Sequence, residues 1–310
     1  MKHIFVNLKR FDVSRRFGGL CAVDSPKEWI EGVIAETIGQ GLGCMNAISL
    51  TFLLPESLLI PAVEKLARYP AADTANIHIG CQGVYRENVR PGGNFGAFTT
   101  NRPAAAARNL GCSWAMIGHS EERKDKLGII GEFLGSGPES GRLAGEGTDA
   151  VGRIINNEAL CAMESGLDVL VCVGETAEEK GSGSPEEQQE NVRTVLKRQL
   201  KLCLNGVMEQ LEDREVVVGY EPIWAIGPGK TPPGAEYIEF VSAYIKEVVY
   251  ELYGFCPQVV YGGGLKEENA RSICAIPSID GGLVALTRFT GEIGFYPGDL
   301  KKIIAECLKR

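Results

Sequence analysis

The segment EVVVGYEPIWAIGPGK, residues 215–230, begins as a β-branched apolar run, reaches a lone carboxylate at Glu221 and continues into a loop with proline, tryptophan and glycine. A continuous rather than alternating apolar run is typical of a strand buried on both faces, as in parallel sheets. The segment therefore predicts a buried strand that ends in an acid and opens into a loop.

Short apolar runs of the same kind recur along the chain, and stretches with helical spacing lie between them. The predicted strands cover 3–9, 47–53, 76–82, 112–119, 168–175, 215–222, 258–264 and 281–287. Eight consecutive strand–helix units predict a parallel sheet that closes on itself, which is a (β/α)8 TIM barrel of the α/β class. The length of 310 residues alone would also allow two small domains. Because no linker separates two cores, one barrel domain over 1–310 is predicted.

Barrels of this type have about 250 residues, so we assign the excess length to loops. The segment LGIIGEFLGSGPESGRLAGEGTD, residues 127–149, is rich in glycine and serine and shows neither the helical nor the strand period. It is predicted to be a long loop insertion between the fourth strand and its helix. Residues 181–187 and 14–27 are predicted to lengthen the loops after the fifth and first strands.

The charge pattern argues against large anionic partners. The net charge is -8, and the 32 Lys and Arg residues are interspersed with 40 Asp and Glu residues. Nucleic acids and anionic membranes are bound chiefly by clustered cations, so neither is predicted as a partner. The N-terminal apolar run is too short for a signal peptide, and no stretch approaches the roughly 20 apolar residues that cross a bilayer. A cytoplasmic location is predicted.

The cysteines and histidines give no sign of a metal site. Ten cysteines are scattered without a C-x-x-C pair, and several lie inside apolar runs. This pattern favours reduced, buried thiols over disulfides or zinc. With three histidines and no nucleotide or metal motif, no metal and no organic cofactor is predicted.

Polar side chains follow the apolar runs where a barrel would collect its reacting groups, at the carboxyl ends of the strands. An acid, an imidazole and an ammonium at three such ends would suit removal of a proton beside a carbonyl. Taken singly, each has a structural alternative as a helix cap, a hydrogen-bonded core histidine or a surface lysine. The candidates are Asn7, Lys9, Gln82, His119, Ser120, Glu121, Glu175, Glu221 and the glycines at 262–264, whereas His3 and His78 are predicted to be structural.

Several of these strand ends resemble motifs of the triosephosphate isomerase family, in the family's order. Y-G-G alone would be a weak signal, but H-S-E followed by the long segment around Glu221 is specific. The resemblance spans nearly the whole chain apart from the insertions. The motifs are N-L-K at 7–9, G-A-F-T at 96–99, W-A-M-I-G-H-S-E at 114–121, C-V-G-E-T at 172–176, G-Y-E-P-I-W-A-I-G-P-G-K-T at 219–231 and Y-G-G at 261–263.

The resemblance implies an aldose–ketose isomerisation through an enediolate, with a small phosphorylated sugar as substrate. It implies that Glu221 is the base, that His119 is an uncharged electrophile, and that Lys9 stabilises the negative oxygen. Asn7 would help to position Lys9, and Glu121 would support the reacting groups without taking part directly. The resemblance of residues 94–100 to the family's interface loop implies a homodimer.

The loop after Glu221 resembles the family's mobile lid. Pro222 and Trp224 would stiffen one hinge, while Gly227 and Gly229 would let the tip fold over the ligand. Closing such a loop excludes water and protects a reactive intermediate.

The expected phosphate site departs from the family pattern. Gly264 replaces a serine, which removes a hydroxyl, and Ala285 and Leu286 replace glycines whose bare amides approach the phosphate. Arg288 either makes up for these lost phosphate contacts by binding the anion itself or is a solvated arginine at the rim of the pocket. The predicted substrate-binding residues are Gly227, Gly263, Gly264 and Arg288.

Two further departures bear on function. Glu122 stands where the family has arginine, which predicts a rewired ion pair, and Pro228 replaces a threonine in the lid. The alternative hypothesis is a barrel that binds a sugar or anion without catalysis. Retention of Asn7, Lys9, His119 and Glu221 favours the isomerase, since a binding protein has no need for all four.

Overall fold

The computed structural model describes residues 1–135, 141–227 and 229–309. Its centre is a closed barrel of parallel strands in the order β1 to β8, in which β1 pairs with both β2 and β8. The strands are β1 Lys2–Asn7, β2 Ile48–Leu54, β3 Ile77–Cys81, β4 Trp114–Ile117, β5 Asp168–Val173, β6 Val216–Tyr220, β7 Gln258–Tyr261 and β8 Gly281–Val284. The predicted TIM barrel is confirmed, and each predicted strand overlaps an observed one.

Helices alternate with the strands and surround the barrel. Among the described residues, no helix combines the length and the apolarity needed to cross a membrane. The helices are α1 Pro26–Gly39, α2 Glu56–Leu66, α3 Ala71–Thr74, α4 Ala104–Asn109, α5 Ser120–Leu134, α6 Thr148–Glu164, α7 Ala177–Lys180, α8 Pro185–Cys203, α9 Ala235–Tyr253, α10 Glu267–Cys274 and α11 Pro297–Cys307.

The strands are apolar on both faces because the barrel has two cores. One core lies inside the barrel, where Phe5 packs edge-on against Trp114 with ring centroids 5.1 Å apart. The other lies between the strands and the helices and includes Ile4 and Val6 from the same strand. Consecutive residues of β1 therefore face different cores, which explains a continuous apolar run.

The prediction of an irregular loop over 127–149 is wrong for most of that segment. Residues 127–134 continue α5, Leu143–Gly147 form a π-helical turn, and α6 begins at Thr148. Leu127 and Ile130 pack against the outer core, but glycines between the apolar positions obscured this spacing in the sequence. Residues 136–140 lie outside the described part of the chain.

The prediction of reduced thiols is wrong for one pair. A disulfide joins Cys274 and Cys307, whose Cα atoms are 5.1 Å apart at the C-terminal ends of α10 and α11. These residues are 33 positions apart, and only the packing of the two helices brings them together. The other cysteines are free thiols, buried except for Cys44 and Cys256.

Candidate active site

Glu221 directly follows β6 and lies against the start of α5. Its Oε1 is 3.1 Å from Nε2 of His119, and both side chains are buried. The backbone N–H of Ser120 donates to Oε2 at 2.9 Å, and the Ser120 hydroxyl lies 3.4 Å from Oε1. The carboxylate thus sits at a helix N-terminus, where the helix dipole favours negative charge.

His119 caps the N-terminus of α5. Its Nδ1 accepts the backbone N–H of Glu121 at 3.3 Å. A ring nitrogen that accepts carries no proton, so the neutral imidazole has its N–H at Nε2, facing Glu221. The geometry therefore places the Nε2 position of the ring, which can donate, next to a carboxylate.

Lys9 and Asn7 form a tight turn after β1. Lys9 has a φ of 42°, an unusual conformation for a residue with a side chain. Asn7 Oδ1 accepts the backbone N–H of Lys9 at 3.0 Å and a hydrogen bond from Gln82 at 3.0 Å. Gln82, which follows β3, also donates to the carbonyl of Lys9 and to that of Leu53 on β2, so it holds the turn from across β2. Local hydrogen bonds thus fix the direction of the Lys9 side chain.

Glu121 links Lys9 to His119. Its Oε1 is 2.6 Å from Nζ of Lys9, and its Oε2 is 3.8 Å from Nδ1 of His119. Partial burial raises the pKa of Glu121, but the hydrogen bond and charge of Lys9 outweigh it, and the pKa lies below its usual value. The structure therefore brings Asn7, Lys9, His119, Glu121 and Glu221 into one connected cluster.

Glu175 anchors the segment after Glu221 that is predicted to be the first hinge of a lid. Its Oε1 accepts hydrogen bonds from Tyr220 at 3.0 Å, Trp224 at 2.7 Å and Tyr237 at 2.9 Å. Burial raises the pKa of Glu175 despite these donors. Lys180 lies 4.0 Å above the centre of the Trp224 ring. Sequence reasoning missed Tyr237 and Lys180, because neither stands at a strand end and each fits an ordinary helix.

The predicted anion-binding residues do not form a hydrogen-bonded cluster like that around Glu221. Arg288 pairs with Asp299 at 2.8 Å and lies 4.0 Å from the centre of the Tyr296 ring. No described hydrogen bond or ion pair joins Arg288 to the predicted glycines. Gly263 has no space for a side chain, since a Cβ there would lie 2.2 Å from the Tyr261 hydroxyl. Gly227 and Gly264 have φ values of 119° and 94°.

The loop after β8 is extended rather than helical. Thr287 and Arg288 both donate their backbone N–H groups to the carbonyl of Gly294, and Arg288 forms an antiparallel bridge with that residue. In barrels that bind phosphate here, the N–H groups of a short extra helix often face the anion. Residues 285–296, all of which the structure describes, contain no such helix before α11 begins.

Two glycines let neighbouring strands approach Glu221 closely. A Cβ at Gly174 would lie 1.8 Å from the backbone oxygen of Glu221, and one at Gly262 would lie 2.9 Å from its Cγ. Real Cβ atoms do not make such contacts, so the backbone and side chain of Glu221 rest directly on the adjacent strand ends.

The closed barrel and the acid–imidazole pair at its carboxyl end define the class: a (β/α)8 barrel with an acid–base site. The sequence model of the family described as triosephosphate isomerase matches residues 45–292. The chain therefore belongs to the triosephosphate isomerase family. The match includes His119 and Glu221, whereas Asn7 and Lys9 precede it.

Individual relatives agree with this assignment. A triosephosphate isomerase of Moorella thermoacetica is 35% identical over 227 residues, which cover 72% of this chain and 76% of the relative. One from Pelodictyon phaeoclathratiforme is 32% identical over 256 residues, covering 81% and 82%. The crystal structure of triosephosphate isomerase from Bartonella henselae has a TM-score of 0.62 at 22% identity, with 92% of each chain covered. At 22% identity, the similarity to the Bartonella henselae structure shows the fold alone.

Proposed function

We propose that this chain is an aldose–ketose isomerase that interconverts glyceraldehyde 3-phosphate and dihydroxyacetone phosphate, or a related small sugar phosphate. The observation that carries the proposal is the 3.1 Å contact between Glu221 Oε1 and His119 Nε2 at the carboxyl end of the barrel. Membership of the triosephosphate isomerase family supports the same reaction.

Glu221 acts as the base in this proposal. It removes the proton from the carbon beside the carbonyl and returns a proton to the neighbouring carbon, which converts aldose to ketose through an enediolate. The carboxylate must first exchange its hydrogen bonds with Ser120 for contact with the substrate. Burial of Glu221 and closure of the lid exclude water that would otherwise protonate or degrade the intermediate.

His119 and Lys9 stabilise the negative charge that develops on the substrate oxygens. The Nε2–H of a neutral His119 can donate to such an oxygen, and the Lys9 ammonium can turn towards it from its exposed partner Glu121. Asn7 contributes by holding the Lys9 turn. None of these steps calls for a metal ion or an organic cofactor.

The phosphate would be bound by the backbone amides of Gly227, Gly263 and Gly264 together with the guanidinium of Arg288. Glycine permits close approach of an anion to the backbone. Arg288 would have to exchange or share its carboxylate partner Asp299. The extended loop after β8 gives this part of the pocket its own shape, so a substrate somewhat larger than a triose phosphate is compatible with the proposal.

An isomerisation assay tests the proposal. Glyceraldehyde 3-phosphate and a panel of tetrose and pentose phosphates are offered to the protein and to Glu221→Gln, which keeps the size of the side chain but cannot act as a base. We expect turnover of at least one substrate by the native chain and its loss in the variant. Measurable binding without turnover on any substrate would instead support a non-catalytic sugar-binding or anion-binding barrel.

We also propose that the protein works as a cytoplasmic homodimer joined through residues 94–100. Phe95 in this segment is 88% exposed and has a φ of 55°, so an apolar ring stands out on a constrained turn. Phe98 packs edge-on against Tyr85, which fixes the base of the loop. Sedimentation equilibrium of Phe95→Ser, expected to be monomeric, tests the contact.

A further inference from the structure

Three charged side chains lie together behind His119, largely shielded from water. Nζ of Lys126 on α5 is 2.5 Å from Oε1 of Glu122 and 3.0 Å from Oε1 of Glu158 on α6. The Glu158 side chain is 4% exposed, and the other two are below 20%. Two carboxyl groups share the Lys126 ammonium, and the nearby Arg123 attracts Glu122 but donates its hydrogen bonds to carbonyl groups and to Cys203. If both acids were ionised, they would repel each other at close range. Burial makes that costly.

A proton bound by Glu158 removes this repulsion. Burial and the neighbouring Glu122 carboxylate raise the pKa of Glu158 to about 9. Burial lowers the pKa of Lys126, but the two acids outweigh it and the pKa is raised. At neutral pH, Glu158 therefore keeps its proton, and while Oε1 of Glu122 accepts from Lys126, Oε2 of Glu122 serves another partner.

That partner is the backbone of the turn that carries His119. The N–H of Gly118 donates to Oε2 of Glu122 at 2.6 Å, and its carbonyl accepts from Nε of Arg123 at 2.7 Å. Gly118 has a φ of 75°, so the chain turns sharply just before His119. Both polar groups of this residue are thus held by side chains from the first turn of α5.

We propose that Glu122, Lys126 and Glu158 are positioning residues for His119, with Glu122 holding the Gly118 amide and the Lys126–Glu158 pair holding Glu122. When Glu158 loses its proton, two carboxylates compete for Lys126 and repel each other. Glu122 then shifts, the Gly118 turn loosens, and the imidazole of His119 leaves its position beside Glu221. This inference rests on the proposed function only where kcat is measured.

The neighbouring arginines and two of the neighbouring thiols do not account for such a step. The arginines keep their charge throughout this range. Burial raises the pKa of Cys161 to about 11 and that of Cys172 well above its usual value. Glu158→Gln separates the effect of Glu158 from that of any neighbour. The charged or titratable side chains around the cluster include Glu87, Arg90, Arg102, Arg123, Cys161, Glu164, Cys172 and Cys203.

The imidazole of His119 can be observed directly in the ligand-free protein. The chain has only three histidines, so long-range ¹H–¹⁵N spectra of histidine-labelled protein resolve each ring, and His119→Gln assigns the signal. We expect the Nδ1 and Nε2 shifts of His119 to stay constant from pH 7 to 8.5 and to change as pH rises through about 9. The turnover number kcat should fall over the same range.

Variants give the decisive comparison. Glu158→Gln mimics the protonated acid, so both its His119 shifts and its kcat should stay flat up to pH 10. Glu122→Gln should alter the His119 spectrum already at neutral pH and lower kcat about tenfold with little change in KM. Glu132→Gln removes an exposed charge from the same helix and should behave as the native chain does.

Unfolding experiments check the protonation of Glu158 separately. A raised pKa means that the folded chain binds a proton that the unfolded chain releases. The contribution of this group to stability should therefore fall as pH rises from its usual pKa of 4.5 through about 9. The free energy of unfolding of Glu158→Gln, measured by urea denaturation, should therefore fall less steeply over this pH range than that of the native chain.

An alkaline step that persists in Glu158→Gln would overturn the inference. So would an unchanged His119 spectrum in Glu122→Gln. If Glu122→Gln does not fold, the pH profile of Glu158→Gln alone still tests the inference. A chain that turns over no sugar phosphate but shows the spectral step only with Glu158 present would refute the proposed function and leave this inference standing.

Discussion

Glu221 accepts hydrogen bonds from Ser120 and lies 3.1 Å from Nε2 of His119, both at the start of one helix. Glu221→Asp shortens the side chain by one methylene and withdraws the carboxylate from this position. A displacement of about 1 Å can cost roughly 100-fold in rate, so we expect kcat to fall by about that factor while KM changes little. Steady-state kinetics check this, and an unchanged kcat would remove Glu221 as the base.

Arg288 is the residue through which phosphate affinity can be altered in both directions. Arg288→Gln should raise KM for a phosphorylated substrate about tenfold, because a charge-assisted hydrogen bond contributes roughly 1.5–3 kcal/mol. Asp299→Asn should lower KM, since it frees the guanidinium from its 2.8 Å ion pair. Binding titrations with inorganic phosphate measure both effects. Equal affinity in all three proteins would show that Arg288 is a rim residue.

The residues of the site differ in how far the sequence could predict them. Glu221 and His119 were predictable because they end apolar runs and stand in specific motifs. The pairing of Arg288 with Asp299 was not, since it depends on how the loop after β8 folds back onto α11. Tyr237 gave no signal, because only the approach of α9 to β5 brings its hydroxyl to Glu175.

Among the elements, the lid hinge depends on hydrogen bonds from two neighbouring segments. Tyr237→Phe removes one of the described donors to the buried Glu175 carboxylate and should lower the free energy of unfolding by about 1.5–3 kcal/mol. Urea denaturation measures this change. Tyr244→Phe is the matched control on the same helix, because its hydroxyl donates to a backbone carbonyl at an exposed position. Equal losses of stability in both variants would show that the hydrogen bond from Tyr237 to Glu175 has no special role.

Helix α5 shows why element boundaries were harder to predict than strands. The strand runs were continuous because both faces of each strand are buried. In α5 and the turn that follows, glycine occupies several positions, and a glycine at 131 is buried where the helix meets its neighbours. Composition indicated a loop, whereas packing of Leu127, Ile130 and Leu143 favours helix.

On the scale of the whole molecule, the disulfide between Cys274 and Cys307 links the last two helices of the ring. Closing a loop of 33 residues is worth about 3–4 kcal/mol in the chain-entropy treatment. Cys274→Ser should lower the free energy of unfolding by up to that amount, and reduction of the native chain should have the same effect. Cys44→Ser, which changes an exposed free thiol, is the control.

The same denaturation curves test the domain organisation. We propose that residues 1–310 form one domain, since the barrel closes only when β1 meets β8. A single transition that coincides in circular dichroism and tryptophan fluorescence is expected. The barrel order was predictable from the repeated strand–helix units, but the disulfide was not, because no local pattern connects residues 33 positions apart.

The close approach of Gly174 and Gly262 to Glu221 also guides any attempt to redesign the substrate range. Randomising either position would push the carboxylate off its support, so most library members would be inactive regardless of their new pocket. Diversity is better introduced in the exposed part of the loop after β8, residues 289–293, which includes neither Arg288 nor a core side chain. Catalytic power and selectivity could then be selected separately.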